Sequence, residues 1–183
     1  MPIQFDSVYM TATGSFLPGA PVGNDDIDRY IAPLNATSAR IKRRILAENG
    51  ITRRHYALDA NGETVISNTQ MAAMAVHHCL ANAEIKLHEV SILCTGSSGG
   101  DVAMPGFANM VQGELHAPPM ITSAHQGVCA AGMAALQHAA SALELSDTGN
   151  ALVIASEMPS RMSKRSRFAP RAYETDFDSH FLR

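Results

Sequence analysis

Short apolar runs of strand length alternate along this chain with stretches of helical periodicity, and that order predicts an α/β fold. Residues 3–16 alternate weakly between apolar and polar and lead into Leu17-Pro18-Gly19, as a strand entering a turn does. Asn24 precedes Asp25-Asp26-Ile27-Asp28-Arg29-Tyr30, where a capping amide and early acids suit the positive end of a helix. Between 37 and 49, Ile41, Ile45 and Leu46 recur at helical spacing among Arg40, Lys42, Arg43 and Arg44. Asn49-Gly50 supplies the stop, so this segment predicts a basic amphipathic helix.

Ser67-Asn68-Thr69-Gln70 has the Ser-x-x-Gln form of a capping box ahead of the Met/Ala-rich run from Met71, which predicts a closely packed helix to about Ala83. Runs at 90–95, about 120–123 and 151–156 read as strands, and those at 105–115 and about 129–145 as helices. The alternation predicts a sheet covered on both faces. The strand at 90–95 delivers Gly96-Ser97-Ser98-Gly99-Gly100 at its carboxyl end, where α/β proteins build sites. The segment 129–145 has almost no polar face and is expected to be buried all round. From 157 to 183 the chain turns strongly charged, basic first and then acidic, as an exposed excursion does.

With 183 residues, 46% of them hydrophobic, the chain is expected to build one globular domain around a single core. No apolar run reaches the length of a membrane span, and MPIQFDSVYM lacks the basic start and apolar stretch of a secretory signal, so a soluble, cytoplasmic protein is expected. A net charge of −3 and 5% aromatic residues without tryptophan argue against a nucleic-acid binder. Three cysteines without a C-x-x-C pair, and neighbouring His77-His78 rather than an i, i+4 pair, point to no metal site of ordinary spacing.

The cysteines separate by context. Cys79 within the Met/Ala helix and Cys94 at the end of an apolar strand read as small buried hydrophobes. Cys129 follows Ser123-Ala124-His125-Gln126-Gly127-Val128, between a strand end and the first turn of a helix, where backbone N–H groups and the helix dipole stabilise a thiolate. Gly127 and Gly132 permit a tight strand-to-helix bend. Position alone leaves Cys129 open between nucleophile and packing residue. His125 lies across the bend from it, so their proximity in sequence establishes no catalytic pair.

Three motifs in order, Thr13-Gly14-Ser15-Phe16-Leu17-Pro18, then Asn49-Gly50-Ile51-Thr52-Arg53-Arg54-His55-Tyr56-Ala57, then Gln126-Gly127-Val128-Cys129-Ala130-Ala131-Gly132, resemble the amino-terminal half of a β-ketoacyl-acyl carrier protein synthase III-type condensing enzyme. The resemblance spans nearly the whole chain. It implies a thiolase-like fold, with residues 1–183 forming the N-terminal α/β half of a duplicated layered architecture. It also implies an acyltransferase in which Cys129 takes an acyl group from a thioester. A second thioester then decarboxylates to supply a carbanion, and Claisen condensation yields a β-ketoacyl thioester. The substrates implied are acyl-CoA or acyl carrier protein thioesters, with no bound cofactor, and the enzyme implied is a homodimer.

The same resemblance makes Met104, in a loop like the one that enters the neighbouring subunit, a candidate for limiting acyl length; ordinary interface packing is the alternative. Arg53 and Arg54, with Arg40, Lys42 and Arg43, are candidates for meeting phosphopantetheine or an acidic carrier, against the alternative of a solvated helix face. Arg44 and Glu48 stand where CoA-using members have tryptophan and arginine, and Ala131 where they often have glycine. The histidine and asparagine that activate the extender belong to the carboxyl-terminal half. That half is expected elsewhere, in the rest of the same protein or in a separate chain. Acyl transfer to an alcohol or amine, or a noncatalytic partner subunit, are the competing functions.

Overall fold

The computed structural model describes residues 4–31, 36–59, 61–146 and 149–162. In chain order the elements are β1 (Val22–Gly23), α1 (Ala36–Glu48), β2 (Arg53–Arg54), α2 (Asn68–Ala83), β3 (Val90–Gly96), α3 (Phe107–Glu114), β4 (Ile121–His125), α4 (Ala131–Glu144), β5 (Asn150–Ala155) and α5 (Pro159–Met162). They fall into two compact units, Met1–Leu17 with Ser67–Glu157 and Pro18–Ile66 with Met158–Arg183, where composition led us to expect a single core.

In the first unit a parallel sheet of order β4-β3-β5 carries the core. Its central strand β3 is buried on both faces, which is why its sequence is nearly continuously apolar. Successive side chains alternate sides. Leu93, Leu152 and Ile154 pack with Val76 of α2 and Val111 of α3. Ile92 and Cys94 pack with Ala135 and Ala139 of α4 on the other face. The predicted two-faced α/β layer is thus present.

The capping box forms as read. The Gln70 N–H donates to Ser67 Oγ (3.0 Å), and the Ser67 N–H donates to Gln70 Oε1 (3.0 Å). Small side chains on α2 allow residues 12–15 to lie against it. A Cβ on Gly14 would come within 2.3 Å of the Cys79 backbone nitrogen. That packing corrects the first expectation: residues 4–17 form no strand, because their polar backbone is met by side chains rather than by a neighbouring strand. Asn82 donates to Thr13 O (2.8 Å). The Glu144 carboxylate accepts from the Asp6 N–H (3.2 Å) and from the Ser7 hydroxyl (2.9 Å), bonds that hold its pKa below the usual carboxylate range.

The second correction concerns α4. It buries only one stripe, Ala131, Ala135 and Ala139, against the sheet, while Met133 is 66% exposed. A helix laid on one sheet face covers only the side turned to it, so an apolar circumference does not by itself enclose the helix. The N-terminal turn also differs from the reading. Cys129 lies in a 3-10 turn, Val128–Ala130, that leads into α4 rather than in the α-helix itself.

The second unit contains α1, which matches the predicted basic helix and ends where Gly50 adopts a left-handed backbone (φ 68°). The helix expected after Asn24 is only a 3-10 turn, Ile27–Arg29. Asn24 does not cap it. Its amide instead donates to Ile51 O (3.1 Å) and accepts from Arg54 Nη1 (2.6 Å), beside the antiparallel β1–β2 pair. Of the predicted excursion, Glu157 and Pro159 are exposed but Met158 and Ser160 are buried, so its start is only partly exposed; its remainder, 163–183, lies outside the described residues. No helix among the described residues is long and apolar enough to cross a membrane.

A second close backbone approach in the sheet unit lies at the carboxyl end of β3. A Cβ on Gly96 would stand 2.4 Å from the carbonyl carbon and oxygen of Ala131, atoms that cannot rotate away. Gly99, three residues on, has nothing within 4 Å of the same position. Gly96→Ala is therefore expected to destabilise the chain by about 3 kcal/mol, the upper range for overpacking. Gly99→Ala is expected to leave the thermal midpoint nearly unchanged. Paired unfolding curves check both.

Candidate active site

Parallel strands end together, and their carboxyl ends are where this unit gathers its polar residues. Asn68, 2% exposed at the start of α2, is the hub. Its amide donates to Ser97 Oγ (3.2 Å) and to Ser156 O (3.4 Å), and Ser156 Oγ donates back to Asn68 Oδ1 (2.7 Å). The main chain adds Ser97 N–H to His125 O (3.1 Å) and Ser156 N–H to Gly96 O (3.2 Å). These bonds knit the ends of β3, β4 and β5 to one helix N-terminus.

The loop after β3 is anchored at two further points. Asp101 accepts from the N–H groups of Asn68 (2.9 Å) and Thr69 (2.8 Å), placing a carboxylate at the positive end of α2. Glu157 accepts from the N–H (2.6 Å) and hydroxyl (2.9 Å) of Ser98. Sequence reading recognised Ser67-Asn68-Thr69-Gln70 only as a cap. Nothing local to that motif signals that Asn68 reaches Ser156.

Cys129 stands at this end of the sheet, exposed, in the turn between β4 and α4. Gly127 before it lets the strand bend into the helix, and Val128 takes a left-handed backbone (φ 49°), a strained conformation for a β-branched residue. Of the other two thiols, only Cys94 is as buried as its context suggested. Cys94 is fully buried, and burial pushes its thiol pKa up. Cys79 is half-buried, with its Sγ 3.8 Å from Ala12 O.

A cavity of about 210 Å³ opens beside the loop, lined by Ser97, Val102, Ala103, Pro105, Ala124 and His125 among others. Met104 is 83% exposed and is not among its lining residues. His125 Nε2 lies 2.9 Å from Ser123 Oγ, on its own strand.

In the other unit, the basic residues divide into paired and exposed. Lys42 pairs with Asp28, and Arg44 pairs with Glu48 (2.8 Å), so the acid at 48 is offset by its neighbour one turn away. Arg54 is held by Asn24, whereas Arg53, Arg40 and Arg43 are exposed. A second cavity of about 250 Å³ is bordered by Arg29, Tyr30 and Tyr56. The rings of Tyr30 and Tyr56 stack 4.4 Å apart. Burial raises the Tyr56 pKa against the opposing pull of Arg54.

The unit is a parallel α/β layer with a cysteine exposed in the turn between strand and helix, and known proteins resemble it. The chain is 32% identical over 153 residues to β-ketoacyl-[acyl-carrier-protein] synthase III of Roseobacter denitrificans, a match covering 84% of this chain and 44% of that protein. Among solved structures, AbyA1, a tetronic acid condensing enzyme, superposes with a TM-score of 0.73 at 24% identity, covering 94% of this chain and 49% of that one. The 3-oxoacyl-[acyl-carrier-protein] synthase III of Aquifex aeolicus gives 0.67 at 23% identity, covering 82% and 44% respectively. No family model matches the chain. The resemblance carried by the three motifs is therefore borne out: the chain is a relative of β-ketoacyl-[acyl-carrier-protein] synthase III with a thiolase-type α/β fold. It spans about half the length of the curated relatives it matches.

Asn68→Ala removes donors and an acceptor that are buried with their partners. It is expected to cost about 2–3 kcal/mol by leaving buried polar atoms unmade. Faster hydrogen exchange should follow at residues 97–100, but not on α1. Exchange mass spectrometry with urea unfolding checks both.

Proposed function

We propose that this chain supplies the acyl-accepting half of a β-ketoacyl thioester-forming acyltransferase, with Cys129 as nucleophile. The observation that carries the reading is the exposed thiol of Cys129 in the 3-10 turn feeding α4, within the Gln126–Gly132 motif on which the family resemblance rests. Backbone N–H groups at a helix start stabilise negative charge on sulfur, and thiolate is a strong nucleophile toward thioesters.

In the first step Cys129 sulfur attacks the carbonyl carbon of an acyl-CoA or acyl carrier protein thioester. The tetrahedral oxyanion that forms is met by the Cys129 backbone N–H. Collapse breaks the original carbon–sulfur bond, expels the carrier thiolate and leaves acyl-Cys129. Exchanging one thioester for another costs little, so the step is reversible. In the second step a malonyl-type thioester loses carbon dioxide, and the resulting carbanion attacks the acyl carbonyl. A carbon–carbon bond forms and the Cys129 thiolate leaves. Polarising the extender is the role of a histidine and an asparagine in the carboxyl-terminal half of such enzymes. The complete reaction is accordingly proposed for this chain together with such a half, as a cytoplasmic homodimer. This chain by itself self-acylates without sustained turnover.

Among the cationic candidates, exposed Arg53 is better placed than Arg54 to meet a phosphate-bearing carrier, because the Arg54 guanidinium is engaged by Asn24. Met104, exposed on its loop, is proposed to enter a neighbouring subunit and limit acyl length.

Incubation with a panel of acyl-CoA thioesters is expected to add one acyl mass to the intact chain, and Cys129→Ala should abolish the adduct. A folded chain that takes up no Cys129-dependent acyl group overturns the proposal in favour of a noncatalytic subunit. With the carboxyl-terminal half present, the expected product from a malonyl thioester is a β-ketoacyl thioester. Transfer to an alcohol or amine without a new carbon–carbon bond rejects condensation.

A further inference from the structure

Beneath α4, on the face of the sheet opposite α2 and α3, three metal-binding side chains from three elements converge. Cys94 of β3 is fully buried in the cluster formed with Ile92, Ala135 and Ala139. Parallel pairing sets Ser123 of β4 opposite Cys94, so His125, two residues on, projects from the same side of the sheet. His138 lies on α4 beside Ala139 and is exposed. One ligand atom from each of Cys94, His125 and His138 lies within 4.8 Å of the others. The two imidazole rings are 5.1 Å apart and tilted by 54°.

We propose that Cys94, His125 and His138 form a binding site for a thiophilic divalent transition metal, with Zn²⁺ as the fitting ion. A thiolate with two imidazoles is a donor set that zinc and its neighbours accept and that hard oxygen-seeking cations do not. Tetrahedral bonds of about 2.0–2.3 Å place ligand atoms about 3.5 Å apart. The separation of up to 4.8 Å closes to that by rotation of the histidine rings, His138 being at the surface and His125 half-buried. Ser123 Oγ, 2.9 Å from His125 Nε2, steadies the His125 ring, the service a hydrogen-bonded neighbour commonly gives a ligating imidazole. On binding, the sulfur–hydrogen bond of Cys94 breaks, its proton goes to solvent, and sulfur donates its pair to the metal. Water completes the fourth position. The ion would tie β3, β4 and α4 together under the turn that carries Cys129, whether or not Cys129 accepts an acyl group.

The ligands are far apart in sequence, which is why spacing rules pointed to no metal. Co²⁺ serves as the spectroscopic probe, titrated into the full chain carrying Cys129→Ala so that no other exposed thiol contributes. The expected result is one equivalent bound, with a thiolate-to-cobalt charge-transfer band and the intense visible bands of a tetrahedral site. Zn²⁺ should displace the Co²⁺ and raise the thermal midpoint in proportion to the logarithm of its concentration. His138→Gln, a surface change that preserves folding, should weaken binding by at least about 10-fold. Cys94→Ala should remove the charge-transfer band. Absence of that band, or a band and affinity unchanged in His138→Gln, overturns the site. Should Cys94→Ala fail to fold, the His138→Gln comparison decides alone.

Discussion

The structure depends on how closely the first turn of α4 can sit on the end of β3. At Gly96 the two backbones are separated by less than a side chain requires, since a Cβ there would lie 2.4 Å from the Ala131 carbonyl. That contact fixes where α4 begins, and Cys129 lies two residues before Ala131. Gly132 repeats the theme toward β5, where a Cβ would come within 2.9 Å of the Ala155 methyl. Small residues thus set the position of the turn that carries Cys129 through excluded volume, an interaction that side-chain rotation cannot relax.

Hydrogen bonding does the complementary work above the sheet. Asn68 joins the ends of β3 and β5, and Asp101 returns the following loop to the N-terminus of the helix that carries Asn68. Each polar group in this network is drawn out of water together with a partner, so the loops that line the cavity keep one arrangement rather than several. The proposed nucleophile comes from the turn after β4, and the network comes from α2, β3 and β5.

Much of this was legible in the sequence, where the local signal and the fold agree. The Ser67–Gln70 box, the apolar β3 run, the Asn49-Gly50 stop and the order of strands and helices all depend on neighbours within a turn or two. The misreadings have a common cause in contacts made at a distance. Residues 4–17 look like a strand, yet their hydrogen bonds go to Asn82 and Glu144. Asn24 looks like a cap and instead bridges Ile51 and Arg54. The uniform apolarity of α4 reports what a helix is able to bury, whereas the sheet beneath it covers one stripe. Position alone left Cys129 undecided, and its exposure together with the family resemblance supports the nucleophile role proposed for it.

Cys129 as the presented, reactive thiol is the centre of the account, and the three cysteines of one chain provide an internal comparison. Limiting iodoacetamide applied to the native chain at neutral pH, followed by peptide mass mapping, gives the relative alkylation rate of each. The account predicts that Cys129 is modified well before half-buried Cys79 and fully buried Cys94. Modification of Cys79 or Cys94 first, with Cys129 left intact in the folded chain, would contradict it.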